Sequence, residues 1–116
     1  MTQSNLERAV AYYTAMGQKD VDAAGQYLHP DVDFIAPLAK LKGKDHVVMA
    51  ARGFVAFFTS LTIRAQFEKG DEVMLVYDLA LPIPVGVLSA AALFTFKDGL
   101  ITRLELFYDA RMIAPA

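Results

Sequence analysis

The chain has 116 residues, enough for one domain built around one core. Eleven basic and thirteen acidic side chains leave a net charge of −2 with no long basic run, so neither nucleic acid nor an anionic membrane is an expected partner. Cysteine is absent, which removes disulfides, thiol catalysis and thiolate metal sites.

The opening MTQSNLERAV lacks the charged-then-apolar layout of a signal peptide. Ser4 with Glu7 fits a capping box. Behind it, Leu6, Val10, Tyr13 and Met16, or Ala9, Tyr12 and Met16, recur at helical spacing. This predicts a first helix stopped near Gly17, a usual left-handed terminator. Asp20 then caps a second, shorter helix through Tyr27, and Pro30 closes it, because the residue before a proline avoids the helical region. Val32 to Ala36 reads as a short strand ended by Pro37 and followed by a loop. A third helix runs from about Lys44 to Phe58, with Val47, Val48, Ala51, Phe54, Val55 and Phe58 in a broad apolar stripe.

After Ser60 the period changes from 3.6 to 2. Leu61, Ile63, Ala65 and Phe67 alternate with Thr62, Arg64, Gln66 and Glu68, as in a strand with one wet face. Lys69-Gly70-Asp71 turns the chain into Val73 to Leu81, which is apolar at nearly every position and should be covered on both faces. A strand from about Val85 to Phe96 follows. Lys97-Asp98-Gly99 makes a hairpin, and Leu100 to Tyr108 closes the chain with Leu104, Leu106 and Tyr108 on one face. The weakly polar run from Ile83 to Phe96 is too short to span a bilayer and is interrupted by Pro84 and Gly86. A soluble, cytoplasmic protein is the expectation. There is no internal repeat, linker or low-complexity segment.

The order helix, helix, strand, helix, then a four-strand meander carries a resemblance. Its most telling stretch is YLHPDVDFIAPLAKLKGKDH, from Tyr27 to His46. With Lys19-Asp20-Val21-Asp22 before it and Phe107-Tyr108-Asp109 at the close, the chain resembles the nuclear transport factor 2-like superfamily. That group includes ketosteroid isomerase, scytalone dehydratase, limonene epoxide hydrolase and the SnoaL-like polyketide cyclases. The resemblance implies a single α+β domain over residues 1–116. Its form would be a cystatin-like cone, three N-terminal helices packed on a curved, mostly antiparallel sheet in the order α-α-β-α-β-β-β-β.

Enzymes of this type hold carboxylates inside an apolar cone, where desolvation and hydrogen bonds tune their pKa. The positions implied by the resemblance are mostly occupied by other residues here. The isomerase general base falls on Ala36 and the oxyanion-hole acid on Ala92, while the oxyanion tyrosine of the first helix matches Tyr12. The last-strand acid of the epoxide hydrolases falls on Leu106, and their middle-strand Arg–Asp pair falls near Tyr77 and Leu79. Dehydratase chemistry relies on paired histidines, and this chain offers only His29, in a turn, and His46, near a helix start. One donor without a base transfers no proton.

Asp78 is the one acid within an otherwise apolar strand, and burying a lone carboxylate is costly. It is either an inward general base, brought round by a one-residue slip, or an outer-face acid paired with Arg64 or Arg103. Asp33 reads as a solvated edge residue, and Lys40, Lys42 and Lys44 as a loop at the mouth of the cone. No His, Asp and Glu cluster has ligand spacing, so neither a metal nor a cofactor is expected.

Apolar residues make up 55% of the chain and charged ones 21%, against typical values of about 45–50% and about 25%. In so small a domain the surplus must line a cavity or cover a subunit interface. The leading expectation is therefore a homodimer, joined through the sheet face, whose cone binds a small apolar or aromatic molecule. The expected walls are Tyr12, Tyr27, Phe34, Leu38, Met49, Phe54, Tyr77, Leu79, Ala92, Phe94, Leu106 and Tyr108. The alternatives are an isomerase-, cyclase-, dehydratase- or hydrolase-type enzyme using Asp78 as base with a tyrosine such as Tyr12, or a protein-interaction module using the sheet face.

Overall fold

In the computed structural model, residues 3–82 and 84–112 are described. Helix α1 (Asn5–Gly17) starts at a complete capping box: Glu7 N–H donates to Ser4 Oγ at 3.0 Å, and Ser4 N–H donates to Glu7 Oε1 at 2.8 Å. It ends at Gly17 as expected, but the glycine is not the left-handed residue. Gln18 is the C-cap, and Lys19 takes the left-handed position with φ +63°. Lys19 N–H reaches the Met16 carbonyl and Asp20 N–H the Ala15 carbonyl, the two bonds of a Schellman motif. Lysine tolerates this backbone because its amine is anchored: Nζ donates to the carbonyls of Val55 and Phe58 and stands 4.7 Å from the centre of the Phe58 ring.

Helix α2 (Val21–Gly25), capped by the Asp20 side chain, is shorter than the apolar spacing suggests. Strand β1 (Leu28–Ala36) begins earlier than expected, running through His29-Pro30-Asp31. Pro30 is tolerated because the pairing of β1 shifts between Leu28 and Asp33, so no ladder bond is demanded there. What reads as a loop after Pro37 is a hairpin into β2 (Ala39–Lys42), paired Asp33 to Lys42 and Ala36 to Ala39. Four residues with two lysines give little alternation to detect, but they suit an edge strand, where charge blocks further pairing.

Helix α3 (Lys44–Val55) is followed by β3 (Ser60–Lys69), β4 (Glu72–Ala80), β5 (Val87–Lys97) and β6 (Leu100–Tyr108), then a 3-10 turn, Ala110–Met112. The six strands form one sheet in the order β2-β1-β6-β5-β4-β3. Every pairing is antiparallel except β1 with β6. The helices cross the inner face. Val73, Leu75, Tyr77 and Leu79 of β4 point inward and are buried, as are Leu88, Ala90, Ala92, Phe94 and Phe96 of β5 and Ile101 and Leu104 of β6. Their alternates, Met74, Val76, Asp78 and Ala80 on β4, face outward.

The alternation seen along β3 does not survive intact. Ile63 sits opposite Tyr77 and Ala65 opposite Val76, so Arg64 is an extra residue in a bulge and the parity flips there. Leu61 and Ile63 therefore face the helices, whereas Ala65 and Phe67 join the outer face.

Candidate functional site

Where the helices bridge the concave sheet they leave space that side chains do not fill. The main chamber, about 180 Å³, is walled by Tyr12, Tyr13 and Met16 of α1, Phe34 of β1, Val47, Ala50, Ala51 and Phe54 of α3, and Leu104 and Leu106 of β6. A smaller chamber of about 50 Å³ lies among Phe54, Phe57, Tyr77, Leu79, Leu81, Leu88, Ala90, Leu106 and Tyr108. Phe54 and Leu106 belong to both and stand between them. A larger groove, about 500 Å³, runs between the outward side of α1 and Gln66. It is shallow and open to water, so it cannot desolvate a small molecule.

The polar groups on the chamber walls are phenols. Tyr13 Oη and Tyr77 Oη lie 3.2 Å apart and share a hydrogen bond, each from a fully covered ring, with ring centroids 4.6 Å apart. Tyr12 packs edge-on to Tyr13 and to Phe94, at 5.3 Å and 5.8 Å. Its hydroxyl bonds to no side chain or backbone group among the described residues, and the residue lines the main chamber. Burial pushes the Tyr12 and Tyr13 phenols well above the ordinary tyrosine range. The Tyr77 phenol is pushed up to about 12, chiefly by burial, with the Tyr13 hydrogen bond pulling the other way. Tyr108 is raised by burial as well. At neutral pH these groups are hydrogen-bond donors, not bases.

Of the two readings of Asp78, the structure has the outer-face one, paired with Arg64, and not the inward one. Tyr77 and Leu79 occupy the inward positions of β4, so strand geometry sends Asp78 to the opposite face. There Arg64 Nε and Ser89 Oγ both donate to its Oδ1, at 3.0 Å and 2.7 Å. The bulge at Arg64 lies on the neighbouring strand and leaves the parity of β4 unchanged. Among the described residues no carboxylate lines either chamber.

The other singled-out side chains divide by geometry. Tyr12, Phe34, Phe54 and Leu106 border the main chamber, and Tyr77, Leu79 and Tyr108, again with Phe54 and Leu106, the small one. Leu38 and Met49 do not reach either: Leu38 tips the hairpin turn and is 55% exposed, and Met49 is 71% exposed. Met49 is two residues from Val47 and so lies on another side of α3. Tyr27, Ala92 and Phe94 belong to the core behind the walls. In the main chamber Tyr13, Met16, Val47, Ala50, Ala51 and Leu104 were the walls that sequence reasoning passed over, and in the small one Phe57, Leu81, Leu88 and Ala90. The set Val47, Ala51, Phe54 at i, i+4, i+7 was the available signal. Asp33 pairs with Lys42 at 3.3 Å on the surface, and His46 Nδ1 donates to the Lys42 carbonyl at 2.9 Å. Among the described residues there is no cluster of potential metal ligands, and no helix is long and apolar enough to cross a membrane.

Helices laid across a curved sheet that encloses an apolar chamber define a cone of the nuclear transport factor 2-like type. Solved structures agree. A protein of this fold from Cytophaga hutchinsonii is 20% identical, with a TM-score of 0.83, over 96% of this chain and 95% of that one. A protein from Kribbella flavida is 26% identical, with a TM-score of 0.86, over 92% of this chain and 88% of that one. TerC, co-crystallised with polyporic acid, is 21% identical, with a TM-score of 0.76, over 92% of each chain. No curated protein matches the chain. The SnoaL-like domain model matches residues 9–104, and the chain belongs to that family.

Proposed function

We propose that this protein is a binding cone for a small, uncharged apolar or aromatic molecule held in the main chamber, with Tyr12 donating the one directed hydrogen bond. The observation that carries this reading is the chamber wall: apolar side chains and phenols, with a Tyr12 hydroxyl that has no partner among the described residues, on a side chain only 3% exposed. Sites of this kind gain affinity from burial of the apolar part and orientation from a few polar groups. The absence of any wall carboxylate favours binding over proton-transfer chemistry. That TerC was crystallised with polyporic acid supports a small-molecule role for the fold.

The same reading includes a homodimer through the outer face of the sheet. It is supported by Phe67 and Phe107, which are 59% and 45% exposed on that face.

Calorimetric titration with a phenyl ketone tests the site. Tyr12→Phe is expected to weaken binding by roughly three- to tenfold, the worth of one hydrogen bond. Binding of the plain hydrocarbon should be unaffected. Equal affinity of wild type and variant for the ketone would remove Tyr12 from the site.

A further inference from the structure

The interior space is divided, and the two sides of the divider come from different elements. Leu106 is fixed on the central sheet. The Tyr13–Tyr77 pair spans the boundary, with Tyr13 on the wall of the main chamber and Tyr77 on that of the small one, and both rings are almost wholly buried. Phe54 differs. It sits in the last turn of α3, is half-buried as Leu106 is, and closes the gap from the helix side next to Phe58, with ring centroids 5.1 Å apart. Ala50, four residues before it, and Phe57, three after it, are exposed.

Size follows from this division. A cavity of about 150 Å³ lined by aliphatic and aromatic side chains holds a single benzene ring. The main chamber, at about 180 Å³, is of that class, and the small chamber of about 50 Å³ lies directly behind Phe54 and Leu106. A fused two-ring molecule would have to occupy both.

We infer that Phe54 is the specificity-determining residue of the cone: its ring partitions the interior and restricts the site to neutral single-ring molecules carrying one acceptor oxygen. This rests on the binding role proposed above. Charge is disfavoured because no Lys, Arg, Asp or Glu among the described residues lines the main chamber, and an ion there would lose its hydration without a partner. The acceptor oxygen is set by Tyr12, a donor at neutral pH.

The experiment compares acetophenone with 2-acetonaphthone, which share the acceptor and differ by one fused ring. Affinities are measured by calorimetry on wild type, Phe54→Ala and the milder Phe54→Val, with far-UV circular dichroism and thermal melting to establish that each variant is folded. Wild type is expected to prefer the single ring by at least about tenfold, the scale set by overfilling a packed site. Either variant should erase most of that preference by gaining affinity for the naphthyl ketone. Wild-type protein binding both ketones equally overturns the partition. So does a folded variant that keeps the tenfold preference. Failure of wild type to bind either ketone would instead overturn the ligand-site reading on which the inference stands. Benzoate binding as tightly as acetophenone would overturn the requirement for neutrality.

Discussion

Tyr12, Tyr13 and Tyr77 each place a phenol where water is almost excluded, and this has a consequence for stability. The folded state holds all three protons above the ordinary tyrosine pKa, Tyr77 up to about 12. The unfolded chain releases them near pH 10. Below that value both states are protonated and the three phenols contribute no pH dependence. Above it the unfolded chain binds fewer protons than the folded one, so stability falls as pH rises, by about 1.4 kcal/mol per pH unit for each tyrosine. Urea unfolding should therefore give a flat stability between pH 8 and pH 9.5 and a steep loss between pH 10 and pH 11.5. The double variant Tyr13→Phe, Tyr77→Phe should lose a large part of that slope and keep the share of Tyr12 and of the less covered Tyr108. A wild-type profile that stays flat to pH 11.5 would mean that the hydroxyls reach water. The contrast with Asp78 shows how local the decision is. One position along β4 separates a buried phenol from a surface carboxylate held by Arg64 and Ser89. The sequence marked both residues as candidates, and period-2 alternation favoured only one of them.

Among the elements, the helices show which local signals suffice. The capping box at Ser4 and Glu7 and the Asp20 cap are self-contained in a few residues, and they stand in the structure where the sequence put them. The end of α1 is different because its cause is distant. Lys19 adopts a left-handed backbone and sends its amine across to the carbonyls of Val55 and Phe58, at the end of α3, about forty residues on. No local pattern announces such a clamp. It satisfies carbonyls that a helix C-terminus leaves open and puts a cation at the negative end of the α3 dipole. Lys19→Met keeps the stem and removes the charge, and it is expected to cost about 1–2 kcal/mol in urea unfolding at neutral pH. A loss under about 0.3 kcal/mol would show that water replaces the amine at no cost. The strands were legible where the apolar pattern was long, as a continuous run in β4 and as alternation in β6. They were illegible where the cause was pairing: β2 is too short to show a period, and the bulge at Arg64 inserts a residue that only the partner strand reveals. The chamber walls were legible in part for the same reason. Tyr12, Phe54 and Leu106 follow from periodicity, but Met49 needed the direction of α3 relative to the sheet.

For the molecule as a whole, the side of the sheet away from the helices is the unsettled surface. Cross-strand registers align Phe67, Met74 and Leu93 in one row and Ala65, Val76, Ala91 and Phe107 in the next, across β3, β4, β5 and β6. Polar groups flank these rows: Glu105 with Arg103 on β6, and Arg64 with Asp78 and Ser89 toward the other end. An apolar centre with a polar rim is the anatomy of a protein interface, and a face of this kind left in water invites association. A second copy is the simplest occupant, because a two-fold axis through the patch brings each row against an equivalent one. A stable pairing buries about 800 Å² from each partner, a modest fraction of the 6709 Å² that one chain exposes. Light scattering coupled to gel filtration should accordingly return twice the 12.7 kDa chain mass. Val76→Arg places a charge at the middle of the patch without touching the inner face, where Leu75 and Tyr77 pack. That variant should run at the single-chain mass with an unchanged far-UV spectrum and unchanged ketone affinity, because the chamber lies on the other side of the sheet. If wild type runs at 12.7 kDa, the face is not a self-interface. If Val76→Arg remains dimeric, the dimer forms elsewhere on the molecule. Loss of ketone binding with the dimer would mean that the cone depends on its partner for shape, tying the two faces of the sheet into one functional unit.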